Sequence, residues 1–151
     1  MKFHFQRVDA DEDDIHELLS EMQKECLPAD KLYFPANGVW WVGYYGSTPV
    51  AFCCISPSQQ LPDGCYLGRA GVMPDYRGNA LHCRMIRIRT RWAKKQGYTT
   101  VVSDTTDNNP SANNLITCGF RLYVPRIVYG PSRALYWKLD LCPTKTRKSK
   151  E

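Results

Sequence analysis

The chain of 151 residues is 43% apolar and 23% charged, enough to bury one sizeable core and too balanced for a disordered or fibrous protein. No apolar run reaches bilayer length, and the start Met1–Arg7 lacks the apolar stretch and cleavage site of a secretory leader. A cytoplasmic location without a membrane partner is therefore expected, and the net charge of +5 favours anionic ligands.

Residues 2–8 alternate, with Phe3 and Phe5 on one side, and predict a first strand. The acidic run Asp9–Asp14 suits the positive end of a helix dipole. Behind it Ile15, Leu18, Leu19, Met22 and Cys26 recur at helical spacing, until Pro28 ends the helix. A short second helix or turn is expected over Ala29–Phe34. Val39–Tyr45 and Val50–Ser56, rich in β-branched and aromatic residues, predict a hairpin across Gly46–Pro49. Pro57–Gly64 is a polar loop, and Cys65–Met73 a further strand interrupted by Gly68 and Gly71 and stopped by Pro74.

A long helix is predicted from about Gly78 to Gln96, with Gly97 as its C-cap. Its apolar stripe is Leu81, Met85, Ile88 and Trp92; a basic stripe of Arg84, Arg87, Arg91 and Lys95 runs beside it and is most simply a solvated face. Thr99–Asp104 predicts a strand, Ser111–Thr117 a short helix, and Phe120–Val128 with Ala134–Leu141 a final strand pair. The order predicts an α/β (α+β) fold, a mixed sheet with helices packed on it, as one domain over residues 1–141. A basic tail, 142–151, is expected to be disordered.

Seven cysteines, an odd number without a C-x-x-C pair, read as free thiols in a reducing compartment. His4, His16 and His82 have no ligand spacing, so no metal is expected.

Two stretches carry candidate chemistry. In Val72-Met73-Pro74-Asp75-Tyr76-Arg77-Gly78-Asn79-Ala80-Leu81-His82 a strand feeds a turn that opens a helix. The first N–H groups of a helix lack intrahelical partners, Gly78 and Ala80 leave the backbone approachable, and Arg77 adds a fixed charge. The same residues equally suit a plain strand-to-helix turn. In Asn108–Phe120 several amides crowd a short helix, with Asn108 or Asn109 as N-cap and Gly119 as C-cap.

Taken together, Val72-x-Pro74-x-x-Arg77-Gly78-x-Ala80 and Asn108-x-x-Ser111, ending in Gly119-Phe120, resemble the GNAT superfamily of acyl-CoA N-acyltransferases. The resemblance covers about residues 1–141. It implies a mixed central sheet of about seven strands with helices on both faces. The strand Cys65–Met73 would splay from Thr99–Asp104, and the acyl-pantetheine arm of acetyl-CoA would lie in the gap. Val72 and Met73 would bond that arm through their backbone, while Arg77, Gly78, Asn79, Ala80, Leu81 and His82 would surround the pyrophosphate. Asn108 and Ser111 would touch the arm from the other side. The implied activity is acetyl transfer by direct attack of an amine on the thioester.

The sequence departs from the family where the family often carries its acid and base. Leu115 stands at the place of a frequent tyrosine, Tyr66 at that of a frequent glutamate, and Asp75 where the loop often begins with glutamine or arginine. The local candidates for moving protons are Tyr66 first, then Asp104, Tyr123 and Tyr129. Tyr123–Arg133 lies where the family places a substrate-side loop, and its arginines hint at an acidic acceptor. The acceptor amine, on a small molecule or a protein, is not readable, and a homodimer stays open. Two rivals remain: an acyl-CoA-binding protein without catalysis, and a basic module for nucleic acid or an acidic protein, of which nucleic acid is disfavoured.

Overall fold

The computed structural model describes residues 2–141; the predicted basic tail lies outside the described residues. Seven strands form one mixed sheet in the order β1-β2-β3-β4-β5-β7-β6. They are β1 (Phe3–Val8), β2 (Val39–Tyr45), β3 (Thr48–Pro57), β4 (Gly64–Val72), β5 (Thr100–Thr105), β6 (Arg121–Leu122) and β7 (Leu135–Asp140). Three helices alternate with them: α1 (Asp13–Cys26), α2 (Leu81–Lys95) and α3 (Asn109–Thr117). Among the described residues no helix is long and apolar enough to cross a membrane.

The chain divides into two compact units. The first comprises the residues up to Ser56 together with Gly68–Met85. In it β1, β2 and β3 pair antiparallel, and Met73 N–H donates to the Val50 carbonyl at 2.8 Å, tying the end of β4 to β3. The predicted apolar face of α1 is the one used: Leu19, Met22 and Cys26 are buried with Trp40, Val42, Phe52 and Cys54, and Ile15 and Leu18 pack against them. Glycine at position 71 makes that packing close. A Cβ there would come within 2.7 Å of both Cys26 and Phe52.

One core residue escapes the hydrophobic pattern. Gln23, 2% exposed, sits on the apolar side of α1 and grips the Tyr33 backbone twice, donating from Nε2 to the carbonyl and accepting the N–H at Oε1, both at 3.2 Å. Arg69 on β4 joins from below, 3.4 Å from Asp30 and over the Tyr33 ring. The stretch around residues 29–34 is thus held by side chains; it forms no helix, and after a turn ending near Asp30 the chain runs on without regular structure to Phe34.

The second unit comprises Pro57–Leu67 and the residues from Ile86 on. Here β4 and β5 run parallel, paired over Gly64–Tyr66 and Thr100–Val102, and β7 lies antiparallel to both β5 and β6. Both helix ends behave as their glycines predict. Gly97 and Gly119 take positive φ, and the residues after them close the helices, Tyr98 N–H to the Ala93 carbonyl and Phe120 N–H to that of Leu115.

The predicted strand Phe120–Val128 is a correction: β6 spans only Arg121–Leu122. Tyr123 N–H still reaches the Tyr136 carbonyl at 2.9 Å, but Pro125 has no N–H to continue the ladder, and its ring is buried instead.

Candidate functional site

The first unit carries the strand-to-helix turn. After β4, Pro74–Tyr76 forms one turn of 3-10 helix, with proline where a missing N–H costs least. The Tyr76 ring packs against Phe3 and Tyr45, which anchors the turn on the sheet edge. Gly78 then takes φ +85° and Ala80 φ +57°, before α2 opens at Leu81. The glycine answers a conformational need, since a Cβ on Gly78 would meet nothing within 4 Å. Ala80 is the surprise. Its small side chain leaves room, as the sequence predicts, but its backbone also sits in the left-handed region, at a cost of roughly 1 kcal/mol.

The residues of this turn divide by what they offer. Arg77, Gly78, Asn79, Ala80 and His82 are exposed, while Leu81 is 3% exposed and presents only its backbone. Arg77 Nε donates to the Val72 carbonyl at 3.3 Å and Asn79 Nδ2 to that of Tyr76 at 2.8 Å, so both side chains brace the turn. The N–H groups of the opening helical turn have no carbonyl within their own helix, and they mark the positive end of its dipole. Helix starts of this kind are where anions are commonly held. Met73 differs from the others. Its N–H is committed to Val50 and its carbonyl accepts from Tyr76 N–H at 2.9 Å, so it holds no spare donor for a ligand.

The second unit brings together side chains that the sequence names separately. Tyr66 on β4 and Tyr129 in the β6–β7 connection both donate to Oδ2 of Asp104, at 2.8 and 2.6 Å. Tyr136 stands opposite Asp104 in the β5–β7 register, meets the Tyr129 ring edge-on at 5.1 Å, and accepts the Gly130 N–H at its hydroxyl. No lysine or arginine lies within 4.0 Å of Asp104 among the described residues. The phenol of Tyr129 is pushed well above its ordinary 10 by burial, by its hydrogen bond to Asp104 and by that carboxylate's charge. As the residue is 53% exposed, the 2.6 Å contact is the firmer of these causes. Burial, then Asp104 and Tyr136, raise Tyr123 as well.

Asn108 is the N-cap of α3: its Oδ1 accepts the Ser111 N–H at 3.1 Å, which settles the choice between Asn108 and Asn109. Leu115 is 2% exposed, a core residue. The basic stripe Arg84, Arg87, Arg91 and Lys95 is exposed throughout, with Arg84 lying over the Phe5 ring at 5.1 Å. Arg133 is spent on Asp107, at 2.7 Å. Among the described residues no three His, Cys, Asp or Glu are grouped to hold a metal ion.

A seven-stranded mixed sheet with this helix order, carrying an exposed glycine turn at the start of α2, is a fold that the comparisons recognise. Residues 7–120 match the Acetyltransferase (GNAT) family, and the chain belongs to it. N-acetyltransferase family 8 member 2 of Rattus norvegicus is 33% identical over 99 residues, covering 60% of this chain and 44% of that protein. The chain spans about half the length of the curated relatives it matches. Among solved structures, a Bacillus subtilis acetyltransferase in complex with CoA superimposes with a TM-score of 0.73 at 14% identity, over 93% of this chain and all of that one. The ribosomal-protein-S18-alanine N-acetyltransferase of Escherichia coli gives 0.72 at 15% identity, over 97% of this chain and all of its own.

Proposed function

We propose that the protein transfers the acetyl group of acetyl-CoA to an amine. The observation that carries this reading is the turn Arg77–Ala80, where two left-handed residues deliver an exposed backbone into the start of α2. Gly78, Asn79, Ala80, Leu81 and His82 would hold the pyrophosphate through backbone groups, with the Arg77 charge beside them. Val72 would meet the pantetheine arm through its backbone. Asn108 and Ser111 would meet it with the amide NH2 and the hydroxyl that the cap leaves over.

In the reaction the amine lone pair attacks the thioester carbonyl carbon. The C–S bond then breaks, and one proton must pass from nitrogen to sulfur. Asp104 suits the first half of that passage: its Oδ2 is filled by two phenols, while Oδ1 takes no hydrogen bond from the described residues. In our reading Oδ1 accepts the amine proton, and the Tyr66 hydroxyl turns from Oδ2 to give its own to the sulfur; the phenolate then takes a proton from solvent as Asp104 releases the one it gained. Tyr129 holds the carboxylate in place. Leu115 takes no part, being sealed in the core.

That buried leucine, at the place of the family's frequent tyrosine, is also what favours the second reading, an acyl-CoA-binding protein without catalysis. The six cysteines among the described residues form no disulfide, which supports a reducing, cytoplasmic setting in either case. Calorimetry with acetyl-CoA tests the shared part, and lack of saturable binding below about 1 mM sinks both readings. Thiol release from acetyl-CoA with a panel of amines separates them: an inert panel with intact binding leaves the second. Binding of single-stranded nucleic acid without acetyl-CoA binding would point instead to the basic stripe.

A further inference from the structure

The second unit exposes an apolar surface beside its carboxylate. In the segment between β6 and β7, Val124 is 88% exposed, Ile127 67%, Val128 62% and Tyr129 53%. Single exposed apolar residues are ordinary; a run of them is not. Nor is this run loose chain. Gln60 Nε2 donates to the Ile127 carbonyl at 3.0 Å, Gly130 N–H to the Tyr136 hydroxyl at 2.8 Å, and Pro125 is buried. Polar groups fasten the segment from within, and its apolar side chains are presented to solvent.

Tyr129 belongs to both features. Its ring continues the apolar run, and its hydroxyl ends on Asp104. Asp104 is a half-buried carboxylate with no cationic partner among the described residues, and one oxygen without a hydrogen bond. A desolvated carboxylate left without a countercharge is costly, and an arriving cation removes that cost. Tyrosine faces nearby add to the attraction: Lys138 Nζ already lies 5.9 Å from the centroid of the Tyr123 ring. Of the two arginines that suggested an acidic acceptor, Arg133 is neutralised by Asp107, while Arg126 is exposed within the run and works against a cation there.

We infer that Asp104 and the Val124–Tyr129 run together select the acceptor: a small amine, cationic in solution, carried on an alkyl or aryl body. The ammonium meets Asp104 Oδ1 and sheds one proton to solvent to free its lone pair before attack, while the body lies on Val124, Ile127 and Val128. This rests on the proposed acetyl transfer and names its substrate class. Charge complementarity picks the amine end, and continuity through Tyr129 picks the apolar end.

The test uses the full chain and two independent readouts. Equilibrium binding of phenethylamine, butylamine, octylamine, spermidine and glutamate is followed by NMR shifts of the tyrosine rings, and thiol release from acetyl-CoA is followed with the same compounds. Octylamine and phenethylamine should lead, with up to about fourfold in kcat/KM for each methylene that reaches the patch. Glutamate should neither bind nor react. Asp104→Asn should weaken phenethylamine binding at least about tenfold, the scale of a charge-assisted contact. The surface variants Val124→Ser and Ile127→Ser, which leave the core untouched, should flatten the chain-length series.

Equal binding of octylamine and butylamine, preference for spermidine or glutamate, or unchanged affinity in Asp104→Asn would each overturn the inference. So would a concentration-dependent dimer that Val124→Ser abolishes while leaving amine binding alone. Amine binding in the predicted order without thiol release keeps the acceptor site and removes the transferase reading. Thiol release with the wrong order does the reverse.

Discussion

The turn Arg77–Ala80 and the Asp104 cluster are opposite kinds of site. The turn is built from backbone. Its two left-handed residues, exposed amides and helix start arise within eleven residues of chain, Val72–His82, and its side chains mostly brace it. The Asp104 cluster is built from side chains, joined across sequence separations of 38 and 25 residues. A backbone seat tolerates changed side chains as long as φ is kept. A side-chain cluster fails with the loss of one oxygen.

The largest effect expected from that contrast is at Asp104. Asp104→Asn should lower kcat/KM for thiol release by about 100-fold or more, the scale of a lost proton-transfer group, with acetyl-CoA affinity unchanged. Equal losses in both would mean that the two sites are not separable. Gly78→Val should do the converse. A β-branched residue at φ +85° is strained, and acetyl-CoA affinity should drop by roughly tenfold or more in calorimetry, while ring shifts of Tyr66 and Tyr129 stay put.

Tyr129→Phe removes one hydrogen bond to a charge and should cost about tenfold in kcat/KM, with phenethylamine still bound. If Tyr129→Phe matches Asp104→Asn in full, Tyr129 is not merely holding the carboxylate. The smallest effect separates conformation from contact. Ala80→Gly relieves the left-handed alanine and should raise stability by up to about 1 kcal/mol in urea denaturation, with acetyl-CoA binding retained.

One further check concerns a thiol outside both sites. Burial pushes Cys65 up to about 11, so its thiolate is scarce near neutral pH and grows only as the pH approaches that value. Iodoacetamide at pH 8 should leave Cys65 unlabelled in the folded chain and label it after denaturation. Rapid labelling of the native protein would show that β4 opens.

Much of the frame is legible in the sequence. Helical spacing located α1 and its buried face, and glycines 97 and 119 marked both Schellman-type ends. Alternation and turn residues gave the β2–β3 hairpin, although β3 begins at Thr48, two residues before the expected Val50. These signals are local, and local sequence sets them. At Phe120–Val128 the β-branched content points to a strand, but Pro125 prevails, because its missing N–H ends the ladder. Gln23 was hidden for the opposite reason. A polar residue on an apolar helix face has meaning only once its partner, the Tyr33 backbone, is known.

The sequence by itself determined the order of elements, the positions of both glycine-marked helix ends and the turn that opens α2, because each depends on φ preferences and periodicity within a few residues. It also named Tyr66, Asp104, Tyr123 and Tyr129, but as separate candidates. Only the tertiary structure decided that Tyr66 and Tyr129 share one oxygen of Asp104, that Leu115 is core and that Val124–Tyr129 faces solvent. The pairing of β4 with β5, and of β5 with β7, sets those contacts, and strand pairing is a property of residues distant in the chain.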